Sequence, residues 1–170
     1  MNETPDMYIH RILSFLEGKD PLKVQAATPA RISRLVRNSS PARLRKRPAP
    51  GKWSVAEILA HLADTEVVVA YRLRAILGAP GSPIPAFNQD DWATAMEYSK
   101  QNPKDSINSF RAVRELNLRL LKRIRAEQWK EFGMHAERGR ETVERLVHLI
   151  AGHDLNHLAQ IEAIVKPAKK

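Results

Sequence analysis

The chain has 170 residues, 43% of them hydrophobic, with six histidines, no cysteine and a formal net charge of +9. That length suits one domain with a sizeable core. The lack of thiols excludes disulfides, Cys-ligated zinc and a cysteine nucleophile, so any metal must rest on His, Asp or Glu.

There is no run of about 18 apolar residues to span a bilayer, and the start, MNETPDMYIHRILSF, lacks the pattern of a secretory signal. Both observations predict a cytoplasmic protein with no membrane partner.

Ile9, Ile12, Leu13 and Leu16 recur at helical spacing and predict a helix over 5–17. In TPAR, Thr28 as N-cap and Pro29 at the first helical position predict a second, short helix reaching about Asn38. WSVAEILAHLADTEVVVAYRLRAILG opens with Ser54 and Glu57 at capping-box spacing and runs without Gly or Pro to Gly78, which predicts a long helix. APGSPIPAFNQDDWATAMEYSKQ, with three prolines, reads as a long connection holding a short helix near QDDWATAMEY.

Asn102 and Pro103 cap the next helix, whose apolar positions Ile107, Phe110, Val113, Leu116, Leu120, Leu121 and Ile124 carry it to about Arg125. EQWKEFGMHAERGRET, broken by two glycines, is a turn or a small hairpin. A last helix runs from about Thr142 to Val165. Four substantial helices, one or two short ones and no convincing strand pair predict an all-α bundle, one domain over 1–170.

The charge is unevenly spread. Residues 21–56 hold nine basic side chains and no acid, so the remaining 134 residues balance at 19 basic and 19 acidic. The run RISRLVRNSSPARLRKRPAPGK therefore raises nucleic acid as a partner. Against it, residues 21–52 contain no aromatic side chain to stack on a base and no recognised DNA-binding spacing. A solvated basic face is the simpler account.

The last helix carries its core stripe through Val143, Leu146, Val147, Ile150, His153, Asp154, His157, Ile161 and Ile164. Residues four apart differ by about 40° in direction and about 6 Å in height, so the His153 and His157 rings can reach one point. The bland alternative is one hydrogen-bonded core histidine and one at the edge. Two imidazoles desolvated at this spacing favour a ligand pair.

A third ligand is sought among the other histidines. His148 faces elsewhere, His135 lies in a glycine-flanked loop and His10 on the uncertain first helix. His61, in the middle of the long capped helix, is the remaining candidate. The run HDLNH also copies the spacing of the zinc-protease motif, with Asp154 where the general-base Glu belongs. The di-iron carboxylate pattern fails, because no histidine has a Glu three residues before it.

GKWSVAEILAHLADTE followed by Arg72, then PIPAFNQDDWA, SFRAVRELNLRLL and GHDLNHLAQI, together resemble the DinB superfamily, closest to its branch of bacillithiol-transferase-like metal-dependent hydrolases. The resemblance covers about residues 28–165 and leaves 1–27 as an N-terminal extension or extra helix. It implies a four-helix bundle with a long crossover, a homodimer, and one divalent metal, nickel or zinc, on His61, His153 and His157. It further implies an enzyme that transfers a low-molecular-weight thiol or hydrolyses a small-molecule substrate, with the metal activating thiol or water.

A bundle that uses its metal only for stability is the non-catalytic alternative. Spacing adds Asp64, three after His61, and Gln160, three after His157, as side chains able to orient a ligand. Arg72, on nearly the same face as His61 but about 16 Å along the axis, is a candidate anchor for a substrate carboxylate or partner for an acidic side chain. Trp92, with Phe87, is a candidate roof for the pocket. No catalytic residue is assigned.

Overall fold

The computed structural model describes residues 4–166. The ends of the expected 1–170 domain, residues 1–3 and 167–170, lie outside the described residues.

Among the described residues seven α-helices follow one another: α1 Pro5–Ser14, α2 Pro21–Val36, α3 Pro41–Arg45, α4 Val55–Gly78, α5 Gln89–Ala95, α6 Pro103–Leu121 and α7 Val143–Val165. Three short strands, β1 Pro83–Ile84, β2 Phe132–His135 and β3 Gly139–Thr142, form a minor sheet in that order. β1 pairs parallel with β2, and β2 forms an antiparallel hairpin with β3 that opposes Phe132 to Thr142 and His135 to Gly139.

Local chemistry sets most of the helix starts. The Ser54 hydroxyl accepts from Glu57 N–H and the Glu57 carboxylate accepts from Ser54 N–H, which closes the capping box of α4. Thr142 caps α7, and Asn102 followed by Pro103 opens α6.

The second helix corrects the sequence reading. It starts at Pro21, eight residues before Pro29, where Asp20 accepts from the N–H groups of Leu22 and Lys23. Pro29 lies inside it and Thr28 is not its cap. A proline has no N–H for the carbonyl four residues back, which normally makes it costly in mid-helix. Here the released Gln25 carbonyl accepts from Nη1 of Arg114 on α6 at 3.2 Å. The helix tolerates Pro29 because a distant arginine takes the orphaned acceptor.

Two apolar clusters set the order and direction of the bundle helices α2, α4, α6 and α7. One joins Ile32 and Val36 of α2, Ile58, Leu59 and Leu62 of α4, Phe110 of α6 and Leu158 and Ile161 of α7. The other joins Leu22 of α2, Val69, Leu73 and Ile76 of α4, Leu121 of α6 and Val143, Leu146 and Ile150 of α7. The late part of α2 thus meets the early parts of α4 and α6 and the late part of α7. It follows that α4 and α6 are parallel, α2 and α7 are parallel, and the two pairs run oppositely. A helix connected to a parallel neighbour needs a crossover, which residues 79–102 supply.

α1 lies outside this square, against α7. It approaches so closely at Gly152 that an added Cβ would sit 2.4 Å from the Ile12 carbonyl oxygen. Nearby, Arg11 Nη1 donates to Asn156 Oδ1 at 2.8 Å. The residues next to His153 and His157 on the back of α7 are thereby fixed from behind.

Among the described residues no helix is long and apolar enough to cross a membrane.

Candidate metal centre

His61 comes from the early part of α4, and His153 and His157 from the late part of α7. The arrangement of the four helices brings those two stretches to the same level of the bundle. Nε2 of His61 lies 3.0 Å from Nε2 of His153, which lies 3.1 Å from Nε2 of His157. Ligand atoms of the three all fall within 4.8 Å of one another. His61 and His157 are buried and His153 is half-buried.

Burial pushes all three imidazoles toward the neutral form. His61 is held well below the usual histidine range by burial and then by His157. His153 is likewise held well below it by burial, His157, His61 and the Arg114 guanidinium. Burial takes His157 down to about 4 in spite of a bond to Gln160.

Gln160 Oε1 lies 2.8 Å from His157 Nδ1. A carbonyl oxygen only accepts, so this bond keeps the His157 proton on Nδ1 and aims the lone pair of Nε2 at His153. His153 Nε2 faces two nitrogens at once, and a single in-plane proton cannot lie along both contact lines. At least one close nitrogen pair is therefore not a hydrogen bond. A cation at the point of convergence removes that conflict, and three neutral imidazoles suit zinc or nickel. The residues present fit a divalent metal.

Around the cluster, Trp53 packs its ring 5.0 Å from that of His61 at 54°, and the Thr65 hydroxyl is 3.5 Å from His61 Nε2. His61 Nδ1 is buried without a hydrogen-bond partner. Packing against Trp53, rather than an acceptor, orients this ring. Asp64 accepts from Tyr98 Oη at 2.7 Å and is not among the hydrogen-bond partners of His61. Glu57 is tied to its own cap and to Arg47, with Nε of Arg47 at 3.1 Å from both carboxylate oxygens.

Asp154 points away from the histidines, as the helical wheel requires. It meets Arg114 of α6, with Nη2 to Oδ1 at 3.0 Å. Arg114 also pairs with Glu66 of α4 at 2.7 Å and, through Gln25, with α2. Asn117 donates to Glu66 Oε1 at 2.8 Å and completes a polar knot that touches all four bundle helices. A carboxylate so held is no general base, which removes the zinc-protease reading of HDLNH.

Among the described residues, neither Arg72 nor Trp92 makes a hydrogen bond or ring contact with the three histidines. Arg72 is buried and donates to the Pro85 carbonyl at 2.6 Å, with its guanidinium 6.0 Å from the Phe87 ring. Trp92 stacks at 4.8 Å on Phe87. Phe87 thus lies against both Arg72 and Trp92, and the indole beside the cluster is Trp53. Its motif position next to Ser54 was visible in the sequence, but the contact across to His61 was not. His135 is also corrected: it lies in β2, 3% exposed, rather than in a loop.

Most of the basic segment is surface. Arg31, Arg34, Arg37, Arg45 and Lys46 are exposed, and Arg43 donates to the Val165 carbonyl at 2.8 Å.

With that geometry in place, comparison with known proteins gives a consistent picture. Residues 26–161 match the DinB superfamily. A protein of Oceanobacillus iheyensis with the provisional name of metal-dependent hydrolase is 26% identical over 132 residues, covering 78% of this chain and 76% of its own length. One from Halalkalibacterium halodurans, provisionally named likewise, is 21% identical over 141 residues, covering 83% of this chain and 82% of its own. The solved structure of YfiT from Bacillus subtilis, provisionally described as a metal-dependent hydrolase with an unusual four-helix bundle topology, superposes with a TM-score of 0.79 at 21% identity, over 85% of this chain and 83% of its own.

Proposed function

Because the chain belongs to the DinB superfamily, we propose that it is a divalent-metal-dependent hydrolase of a small-molecule substrate, with the ion on Nε2 of His61, His153 and His157. The observation that carries this reading is the convergence of three neutral imidazoles on one point, where their protons cannot satisfy them. The provisional names of the relatives supply the reaction class.

A divalent ion held there, zinc or nickel by donor type, lowers the pKa of a water or thiol at its open position. The rest is the work of the chain. Gln160 fixes the His157 tautomer, and Trp53 holds the His61 ring by packing. The Thr65 hydroxyl is placed to hydrogen-bond a group beside His61. Asp64 positions Tyr98, whose ring lies 6.3 Å from Trp53, so its effect reaches the centre through two aromatic rings. Burial pushes the Tyr98 phenol up, and the Asp64 carboxylate beside it pushes in the same direction, which keeps the phenol protonated as the donor of that bond.

A second reading is thiol transfer with a low-molecular-weight thiol as co-substrate. The absence of cysteine fits it as it fits hydrolysis, since in both the nucleophile, thiol or water, comes from outside the chain. A homodimer belongs to the same proposal. Val67 and Tyr71, 53% and 55% exposed and one turn apart on α4, provide an apolar patch for it.

The test is turnover by the metal-loaded protein on ester and amide panels, with and without added cysteine or glutathione. We expect metal-dependent hydrolysis that falls at least about 100-fold in His157→Ala, in line with the loss of a ligand. Turnover only with thiol assigns transfer. Bound metal with no turnover under either condition makes the ion a structural staple and overturns the proposal.

A further inference from the structure

Arg72 is about nine-tenths buried, yet among the described residues it forms no ion pair. The buried acid in its surroundings, Glu141, is held by Arg138 through two bonds of 3.0 and 3.1 Å. Burial and then the neighbouring Arg138 work against the charge of Arg72 and outweigh the favourable pull of Glu141 and Glu137. Its Nε has no hydrogen-bond partner, and Nη2 has only the Pro85 carbonyl and Nε2 of His135 at 3.1 Å.

That last contact is not a sound hydrogen bond. The backbone N–H groups of Glu137 and Arg138 both point at His135 Nδ1, at 3.2 and 3.3 Å. Nδ1 is therefore the acceptor of a neutral ring and the proton sits on Nε2. Burial and the guanidiniums of Arg138 and Arg72 hold His135 below the usual range, so the ring is neutral. Its Nε2–H then faces the N–H of Arg72, donor against donor. Giving the proton to Nδ1 merely moves the conflict to the two backbone groups.

The polar knot provides an internal control. Arg114 also leaves its Nε unpaired, but two carboxylates neutralise it. At Arg72 the donors outnumber the acceptors, and the two carboxylates that favour its charge from nearby, Glu141 and Glu137, make no direct ion pair with it among the described residues. Such a donor surplus in a low-dielectric setting is a site for a negative group. The Pro85 carbonyl that covers the guanidinium belongs to an exposed residue, so only one layer of chain separates it from solvent.

We propose that Arg72 and His135 form a buried site for a small monoanion, a carboxylate or a halide, bridging the guanidinium and His135 Nε2–H. The site lies eleven residues along α4 from His61, about 16 Å of helix axis, and is independent of the proposed reaction.

Two measurements test it on the full chain. Thermal unfolding is compared in sodium acetate, sodium chloride and sodium gluconate at equal ionic strength, gluconate serving as the bulky anion for which a buried site has no room. We expect acetate or chloride to raise Tm saturably, by about 3–6 °C at ten times the dissociation constant, and the rise to vanish in Arg72→Gln. Acetate acting above chloride assigns a carboxylate, and the reverse assigns a halide. No rise over gluconate, or the same rise in the variant, overturns the proposal.

Should Arg72→Gln not fold, crystals of the unaltered chain grown in sodium bromide decide the matter. An anomalous peak between Arg72 and His135, or acetate density there in crystals grown in sodium acetate, supports the site. A water molecule there, or nothing, under both salts overturns it.

Discussion

The bundle buries two groups of polar side chains close together, and they are built on opposite principles. In the knot, one guanidinium meets two carboxylates and a carbonyl released by Pro29, and the Asn117 amide donates to one of those carboxylates, so nearly every donor has its acceptor inside the protein. In the histidine cluster, three Nε2 atoms face one another with too few hydrogen bonds to satisfy them, and a cation closes the accounting. The difference separates structure from function. A self-satisfied buried network fixes helix register, while an unsatisfied one is waiting for a ligand.

The comparison is broken most severely at Arg114. Arg114→Met strands two buried carboxylates, and we expect a loss of about 3–5 kcal/mol by denaturant unfolding. If the knot is purely structural, exchanging all three charged members for apolar residues, Arg114→Met with Glu66→Leu and Asp154→Leu, recovers most of that loss and leaves metal binding in place. Failure of the triple variant to recover stability would show that the knot does more than hold register.

Acid separates the two regions next. In the metal-free chain the folded pKa of His157 is about 4 against an ordinary 6.5. The folded state thus binds fewer protons than the unfolded one. The neutral ring's contribution is present above pH 6.5 and is lost as pH falls toward about 4. At 1.36 kcal/mol per pH unit it amounts to about 3 kcal/mol. Unfolding curves of the wild-type chain between pH 7 and 4 should lose stability on that scale, and His157→Gln should lose less. Equal pH profiles would contradict the placement of His157.

Most of this architecture was legible in the sequence where its causes are local. The Ser54 and Glu57 capping box, Asn102 with Pro103, and the 3.6-residue period of α7 depend on residues within a few positions of each other. The start of α2 was not legible, because Pro29 reads as a helix opener until Arg114, 85 positions later, is seen to take the Gln25 carbonyl. His61, His153 and His157 could be paired by helical spacing and elimination. Trp53 beside His61, and Tyr98 on Asp64, rest on contacts between elements that no local period encodes.

A smaller effect sharpens the histidine side of the comparison. Gln160 is exposed and its role is confined to the His157 tautomer. Gln160→Ala should weaken metal binding about 10–100-fold with little change in the stability of the metal-free chain. Unchanged affinity would mean that His157 needs no partner to present Nε2.

The most direct measurement is an equilibrium titration of untagged protein with zinc and nickel, read by calorimetry and by elemental analysis after dialysis. The account predicts one ion per chain in the wild type, loss of that ion in His61→Ala, His153→Ala and His157→Ala alike, and full retention in His148→Ala. No bound ion in the wild type, or an ion that survives removal of His153, would contradict it.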